Sequence, residues 1–175
     1  MIRPWKPNEH VKVMFDKSSK HQLKLSCTWD ENLPECLFIM LNPTTLDCDK
    51  CDRAIDKCIK TASYNGYGSI AIVNLFSLRT PTPEHLLEAS VRTLPQNMEI
   101  VKRSINATDM IVAAWGEKGS WFNANYPVLR YIEATGKKLH HLQTNKYGWP
   151  MHPLNIKIAC VFKEYLYGKK IDVWI

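Results

Sequence analysis

The stretch LFIMLNPTT, residues 37–45, decides what kind of sheet this chain builds. Five apolar residues run directly into Asn42-Pro43-Thr44-Thr45. An apolar run of that length is typical of a strand that is buried on both faces, as in a parallel sheet. Because proline cannot continue a central ladder, the strand must end there. The tetrapeptide is either an ordinary turn or part of a ligand site, since open α/β folds bind ligands at the carboxyl ends of their strands.

Strands and helices alternate on both sides of this stretch. The predicted strands cover residues 11–15, 21–29, 36–41, 69–76, 109–116, 138–144 and 171–175. The predicted helices cover residues 53–66, 95–106, 125–136 and 156–168, with a further one that has Thr82 as its N-cap and Pro83 as its first residue. This order predicts a single α/β domain over residues 1–175. We expect a three-layer α/β/α sandwich with a mostly parallel central sheet and an antiparallel strand or hairpin near the N-terminus.

The overall composition is that of a folded protein with a real core. Apolar residues make up 45% of the chain and charged residues 23%. The chain has no apolar run of 18 residues, and residues 1–10 lack the apolar region of a signal peptide, so we expect a cytoplasmic protein with no membrane partner. The net charge of +6 is compatible with a nucleic acid or a nucleotide as partner. No motif calls for a cofactor, and the oligomeric state is left open.

Polar residues follow each of the four predicted parallel strands. Asn42, Thr44 and Thr45 stand at the end of the first strand. Asn74 lies within the second, with Arg79 just beyond it. Trp115, Gly116 and Lys118 stand at the end of the third, and His152 lies in the loop after the fourth. Because parallel strands end at the same edge of a sheet, we expect these side chains to share one rim. Each of them has a plainer role as a turn or packing residue, so the hypothesis of a site depends on their convergence.

Four ordered motifs carry a resemblance to a known family. They are FIMLNPTT (38–45), GYGSIAIVNLFSLRT (66–80), IVAAWGEKG (111–119) and HHLQTNKYGWPMHPLNI (140–156). Together they resemble the bacterial and phage family called domain of unknown function 1643 (DUF1643), over about residues 21–156. The family label itself implies no function.

The same layout resembles, more distantly, the uracil-DNA glycosylase superfamily, in which one motif follows the first core strand and a late loop carries a second, often His-Pro-Ser. This resemblance implies a uracil-DNA glycosylase-like fold. It also implies that Asn42 orients the hydrolytic water, that His152 donates to the base carbonyl, and that Asn74 reads a pyrimidine edge. The chain departs from the superfamily in two ways. No Asp occupies the water-activating position of the uracil-specific branch, and Leu154 follows the His-Pro pair in place of Ser.

Two functions are open for such a site. A hydrolase of the N-glycosidic bond must stabilise an anionic leaving base, which a hydrogen bond from His152 would do. Asn42 is too weak a base to deprotonate water, so this reading needs a carboxylate such as Asp47 or Glu117. The alternative is a non-catalytic module that binds a nucleotide or a nucleic acid in the same pocket. In either case Trp115, Phe76 or Trp149 would stack on the base, and whether the protein is an enzyme is left open.

Three cysteines are weak candidates for a metal site. Cys48 and Cys51 have the Cys-x-x-Cys spacing, and Cys58 follows in the next helix. A zinc ribbon needs a second pair at similar spacing, which the chain lacks. We therefore predict no metal and expect the cysteines to be free thiols in a reducing compartment.

Overall fold

The computed structural model describes residues 2–156 and 160–167. Its strands are β1 (Arg3–Pro4), β2 (His10–Phe15), β3 (Gln22–Thr28), β4 (Glu35–Met40), β5 (Lys50–Cys51), β6 (Ser69–Asn74), β7 (Met110–Ala113), β8 (Leu139–His141) and β9 (Lys163–Glu164). Its α-helices are α1 (Arg53–Tyr64), α2 (His85–Glu88), α3 (Pro95–Ala107) and α4 (Asn125–Thr135). Two 3-10 helices cover Glu117–Asn123 and Pro153–Asn155.

Most strands form one mixed sheet with the order β2-β3-β6-β4-β7-β8-β9. Its centre is parallel, because β4 pairs in parallel with both β6 and β7, and β7 pairs in parallel with β8. The pairs β2–β3, β3–β6 and β8–β9 are antiparallel, and β1 pairs with β5 apart from the main sheet. The predicted parallel centre and N-terminal hairpin are confirmed, while the sheet as a whole is mixed. The four parallel strands therefore end at one edge, which we call the rim.

The central strand β4 is covered on both faces. Leu37 and Ile39 belong to an apolar cluster with side chains of α3 and α4, whereas Cys36 and Phe38 belong to a second cluster with side chains of α1. Because successive side chains of a strand point to opposite faces, the two clusters lie on opposite faces of the sheet. This arrangement explains why the sequence of β4 is continuously apolar rather than alternating.

The helix predicted over residues 156–168 is wrong where the structure describes it. Lys163 and Glu164 form β9, which pairs antiparallel with β8, and the Tyr165 N–H donates to the Leu139 carbonyl oxygen at 2.7 Å. An amphipathic pattern reports local periodicity, but the unpaired edge of β8 offers backbone hydrogen bonds that an extended segment satisfies. Residues 157–159 and 168, and the predicted strand at 171–175, lie outside the described residues.

The predicted start of the helix after β6 is also wrong. The helix α2 begins at His85 with Glu84 as its N-cap, so Thr82 and Pro83 precede it. The Thr82 hydroxyl bonds the His85 ring nitrogen Nδ1 at 3.0 Å and caps no backbone N–H. The Thr82 hydroxyl thus bonds a histidine ring instead of the backbone N–H group that an N-cap side chain bonds.

Candidate ligand-binding site

A cavity of about 390 Å³ opens at the rim between the loops that follow β4, β6, β7 and β8. We call it the rim cavity, and its lining consists of Leu41, Asn42, Pro83, Trp115, Gly116, Glu117, Lys118, Asn145, Trp149, Pro150, Met151, His152, Leu154 and Asn155. Asn42 and His152, which are far apart in the sequence, thus line the same space. Its volume is within the range of about 300–1,000 Å³ found for small-molecule sites.

The hydrogen bonds of Asn42 determine which of its amide atoms a ligand can use. Its Nδ2 atom donates to the Pro43 carbonyl oxygen at 3.1 Å and to the Thr80 hydroxyl oxygen at 2.7 Å. The Thr80 hydroxyl itself donates to the Thr82 carbonyl oxygen at 2.8 Å, so it must accept from Asn42. The Oδ1 atom of Asn42 has no partner within residues 2–156 and 160–167. Asn42 therefore offers the cavity a hydrogen-bond acceptor.

His152 offers the cavity a hydrogen-bond donor rather than an acceptor. Its Nδ1 atom accepts from the Leu154 backbone N–H at 3.4 Å, so in the neutral ring the proton lies on Nε2. Burial, together with the positive charges of Lys118 and Lys57, lowers the pKa of His152 from its ordinary value to about 4. At neutral pH the imidazole is therefore uncharged, and its Nε2–H is a donor.

Two glycines shape the turn that follows β7. Gly116 has φ +74°, a conformation that residues with a Cβ rarely adopt. Gly119 lies directly against the buried indole of Trp115, where a Cβ would overlap the ring. The Trp115 Nε1 atom is buried and has no partner in the described part of the chain. The turn thus rests on the indole and brings Glu117 and Lys118 to the cavity wall.

Sequence reasoning missed Asn145, which joins two walls of the cavity. Its Nδ2 atom donates to the Glu117 carboxylate at 3.3 Å, and its Oδ1 atom accepts from the backbone N–H groups of Tyr147 and Trp149 at 3.0 Å each. The sequence NKYG (145–148) is typical of an Asx turn, so the local role could have been predicted. The contact with Glu117 depends on the tertiary structure.

Lys118 lines the cavity but does not present a free charge. Its ammonium group forms an ion pair with Glu84 and lies 5.3 Å from the centre of the Trp121 ring. The hydrogen bond from Lys118 lowers the pKa of the Glu84 carboxyl to about 2. A negatively charged ligand group would therefore compete with Glu84 for this lysine.

Arg79 does not line the rim cavity and instead holds the loop after β4. Its guanidinium donates to the carbonyl oxygens of Ser19, Thr44 and Leu46 at 2.9–3.2 Å, and it lies 5.0 Å from the centre of the Phe15 ring. A guanidinium with three carbonyl partners has few N–H groups left for a ligand. The structure thus places Arg79 in a supporting position.

Three other predicted site residues lie away from the rim cavity as well. Thr44 and Thr45 are exposed on the loop after β4 and do not line it. Asn74 is buried at the end of β6 and lines a different cavity. Of the two carboxylates considered as a base, Glu117 lines the rim cavity, whereas Asp47 is exposed and does not.

The candidate metal ligands do not form a cluster. Cys48 is exposed, while Cys51 and Cys58 are buried. Burial raises the pKa of the Cys51 thiol to about 12, which disfavours the thiolate that a metal requires. Across the described residues, no group of three or more His, Cys, Asp or Glu side chains could hold a metal ion.

These features define a small α/β protein with a ligand-sized cavity at the carboxyl edge of parallel strands. Residues 23–154 match the family described as "Protein of unknown function (DUF1643)", and the chain belongs to this family. No curated protein and no solved structure matches the chain. None of the helices in the described ranges has the length and apolar character needed to cross a bilayer.

Proposed function

We propose that the protein recognises a nucleobase, within DNA or in a nucleotide, in the rim cavity. We also propose that its fold is a three-layer α/β/α sandwich of the uracil-DNA glycosylase type. The apolar cluster that includes α1 side chains and the cluster that includes α3 and α4 side chains lie on opposite faces of the sheet, which supports the layered arrangement. The position of the rim cavity, at the carboxyl ends of parallel strands, supports its use as a binding site.

The proposal depends on one observation: an acceptor and a donor of fixed polarity line one cavity. The acceptor is Oδ1 of Asn42, and the donor is Nε2–H of the neutral His152. A base that carries a ring N–H beside a carbonyl group complements such a pair. The half-buried Trp149 offers an aromatic surface for stacking, which contributes about 1–3 kcal/mol per base in comparable sites.

In the catalytic form of the proposal, the site hydrolyses an N-glycosidic bond. Asn42 accepts a hydrogen bond from a water and orients it toward the sugar C1′ atom, while Glu117 takes the proton of that water. The water oxygen forms a bond to C1′ as the C1′–N bond breaks, and the electron pair of the broken bond leaves with the base. His152 donates to the base carbonyl, where the negative charge develops.

The alternative is a non-catalytic module that binds a nucleotide or another form of the base in the same cavity. In this case Asn42 accepts directly from the ring N–H. The Glu117 carboxylate already accepts from Asn145, and Lys118 is already paired with Glu84, which favours binding of a small ligand over binding of a DNA backbone.

A two-part experiment tests the proposal. Thermal shift and calorimetry would compare uracil, uridine, uridine monophosphate and a uracil-containing oligonucleotide with their cytosine counterparts. We expect tighter binding of the uracil member of each pair, because N3 of uracil carries an N–H group that can donate to Asn42, whereas N3 of cytosine is itself an acceptor. Release of free uracil from the oligonucleotide, lost in Glu117→Gln with binding retained, would support the catalytic form. Binding without release would support the alternative, and no binding of any compound at millimolar concentration would overturn both.

A further inference from the structure

A second cavity of about 580 Å³ lies beside the end of β6 and shares no lining residue with the rim cavity. We call it the side cavity. Its apolar walls include Leu75, Phe76, Met98, Val101, Phe122 and Val128. A largely apolar cavity of this size is typical of sites for small organic molecules.

Arg92 is the one charged side chain among the described residues that line the side cavity. Its Nε atom donates to the Leu86 carbonyl oxygen at 2.6 Å, and its Nη2 atom donates to the Leu87 carbonyl oxygen at 3.0 Å. These bonds fix the half-buried guanidinium but use only part of its five N–H donors. No ion pair of the described residues includes Arg92. A half-buried cation beside apolar walls favours an anionic partner.

Phe122 connects this cation to the apolar walls. The Arg92 guanidinium lies 4.1 Å from the centre of the Phe122 ring, and that ring meets Phe76 edge-on at 6.1 Å. Phe122 has φ +53°, which is uncommon for a bulky residue and needs support from its surroundings. A ligand at this place would meet an N–H fork at one end and aromatic and aliphatic surface at the other.

We propose that the side cavity binds a small monocarboxylate with an apolar body. The carboxylate pairs with the free N–H groups of Arg92, since a guanidinium fork matches the geometry of a carboxylate. The apolar body packs against Met98, Val101 and Val128. This site is independent of the nucleobase proposed for the rim cavity. The two cavities share no lining residue, and the rim cavity would bind a base by its hydrogen-bond donors and acceptors, whereas the side cavity would bind an anion with an apolar body.

Octanoate serves as the probe, with octanamide as its uncharged counterpart and inorganic phosphate as an anion without an apolar body. Calorimetry on the full chain should detect octanoate binding, with octanamide and phosphate each at least tenfold weaker. Arg92→Gln should weaken octanoate binding at least tenfold. The matched control Arg103→Gln, an exposed arginine of α3 outside the cavity, should leave it unchanged.

A second variant keeps the test decisive if Arg92→Gln does not fold. Ala124→Leu adds volume at the cavity wall while it keeps the arginine, so it should also weaken octanoate binding. The proposal is overturned if octanoate fails to bind at millimolar concentration, if it binds Arg92→Gln as tightly as the parent chain, or if phosphate binds as well as octanoate. Asn42→Ala should not change octanoate binding, so the failure of this site is distinguishable from failure of the rim cavity.

Discussion

The two cavities of this protein differ in polarity more than in size. The rim cavity is the smaller, at about 390 Å³, yet it contains an amide and an imidazole whose hydrogen-bond polarity is set by neighbouring groups. The side cavity is the larger, at about 580 Å³, and has mostly apolar walls with a single charged side chain among the described residues. The difference indicates that the rim cavity can select a ligand by its pattern of donors and acceptors, whereas the side cavity can select mainly by shape and charge.

The origin of the walls explains this difference. The segments that follow the four parallel strands form the rim cavity, and they contribute polar side chains such as those of Asn42, Glu117 and His152 beside apolar ones. The side cavity lies between the end of β6 and the helices α3 and α4, whose inner faces are apolar because they cover the sheet. Four predictions test how the residues around the rim cavity produce this difference.

The largest effect is expected from the polar pair of the rim cavity. His152→Ala should lower any turnover by about 100- to 1,000-fold, because it removes the donor to the leaving base. Asn42→Ala should weaken binding of uracil or its nucleotide by about 10- to 100-fold. Calorimetry and base-release assays measure the two effects, and thermal melting serves as the control. If both variants melt early instead, the two residues are structural and the rim cavity loses its support as a site.

The next effect concerns the pH dependence of stability through His152. The unfolded side chain takes up its proton near pH 6.5, whereas the folded one does so only near pH 4. Between these values the unfolded state binds more protons, so the free energy of unfolding should fall as the pH falls from 6.5 to 4, by on the order of 3 kcal/mol. Urea unfolding of the parent chain and of His152→Gln at pH 7 and pH 4.5 measures this. An equal loss in both proteins would contradict the assignment to His152.

A smaller effect is expected where the turn after β7 packs on the buried indole. Gly119→Ala should lower the free energy of unfolding by about 1–3 kcal/mol, since the added Cβ overlaps the Trp115 ring. Gly136→Ala is a comparison variant in which only the backbone changes, because Gly136 has φ +68° and no atom lies within 4 Å of its Cβ position, whereas Gly119 has no positive φ and meets the indole. It isolates the backbone cost of about 1 kcal/mol. Equal stability of Gly119→Ala and the parent chain would show that the turn can move off the indole.

The smallest effect tests how Asn42 is oriented. Thr80→Val removes the hydroxyl that accepts from Asn42 Nδ2, so the amide can turn, and we expect binding in the rim cavity to weaken by about tenfold. Thr80→Ser keeps the hydroxyl and should bind as the parent chain does. Calorimetry with uracil measures the difference between the two variants, and identical affinities would mean that the hydroxyl does not orient the amide.

Much of the fold could be predicted because its signals are local. The continuous apolar runs predicted β4, β6 and β7, the strand over residues 138–144 that contains β8 was also predicted, and the spacing of apolar residues predicted α1, α3 and α4. The final segment could not be predicted in this way. Its amphipathic pattern suggested a helix, but the unpaired edge of β8 stabilises an extended strand at Lys163–Glu164. Backbone pairing with β8, which is distant in the sequence, therefore determined the structure of this segment, and the local spacing of its apolar residues did not.

The sequence by itself determined that polar residues stand at the ends of the strands, because apolar runs and the limits of proline are properties of each stretch. Only the tertiary structure decided which of these residues share a cavity. Asn42, Trp115, Gly116, Lys118 and His152 line it, while Thr44, Thr45, Asn74 and Arg79 do not. The physical reason is that several of the polar side chains are oriented by a partner from another loop, such as Thr80 for Asn42, Glu84 for Lys118 and Glu117 for Asn145. Those partners are brought together only when the sheet forms.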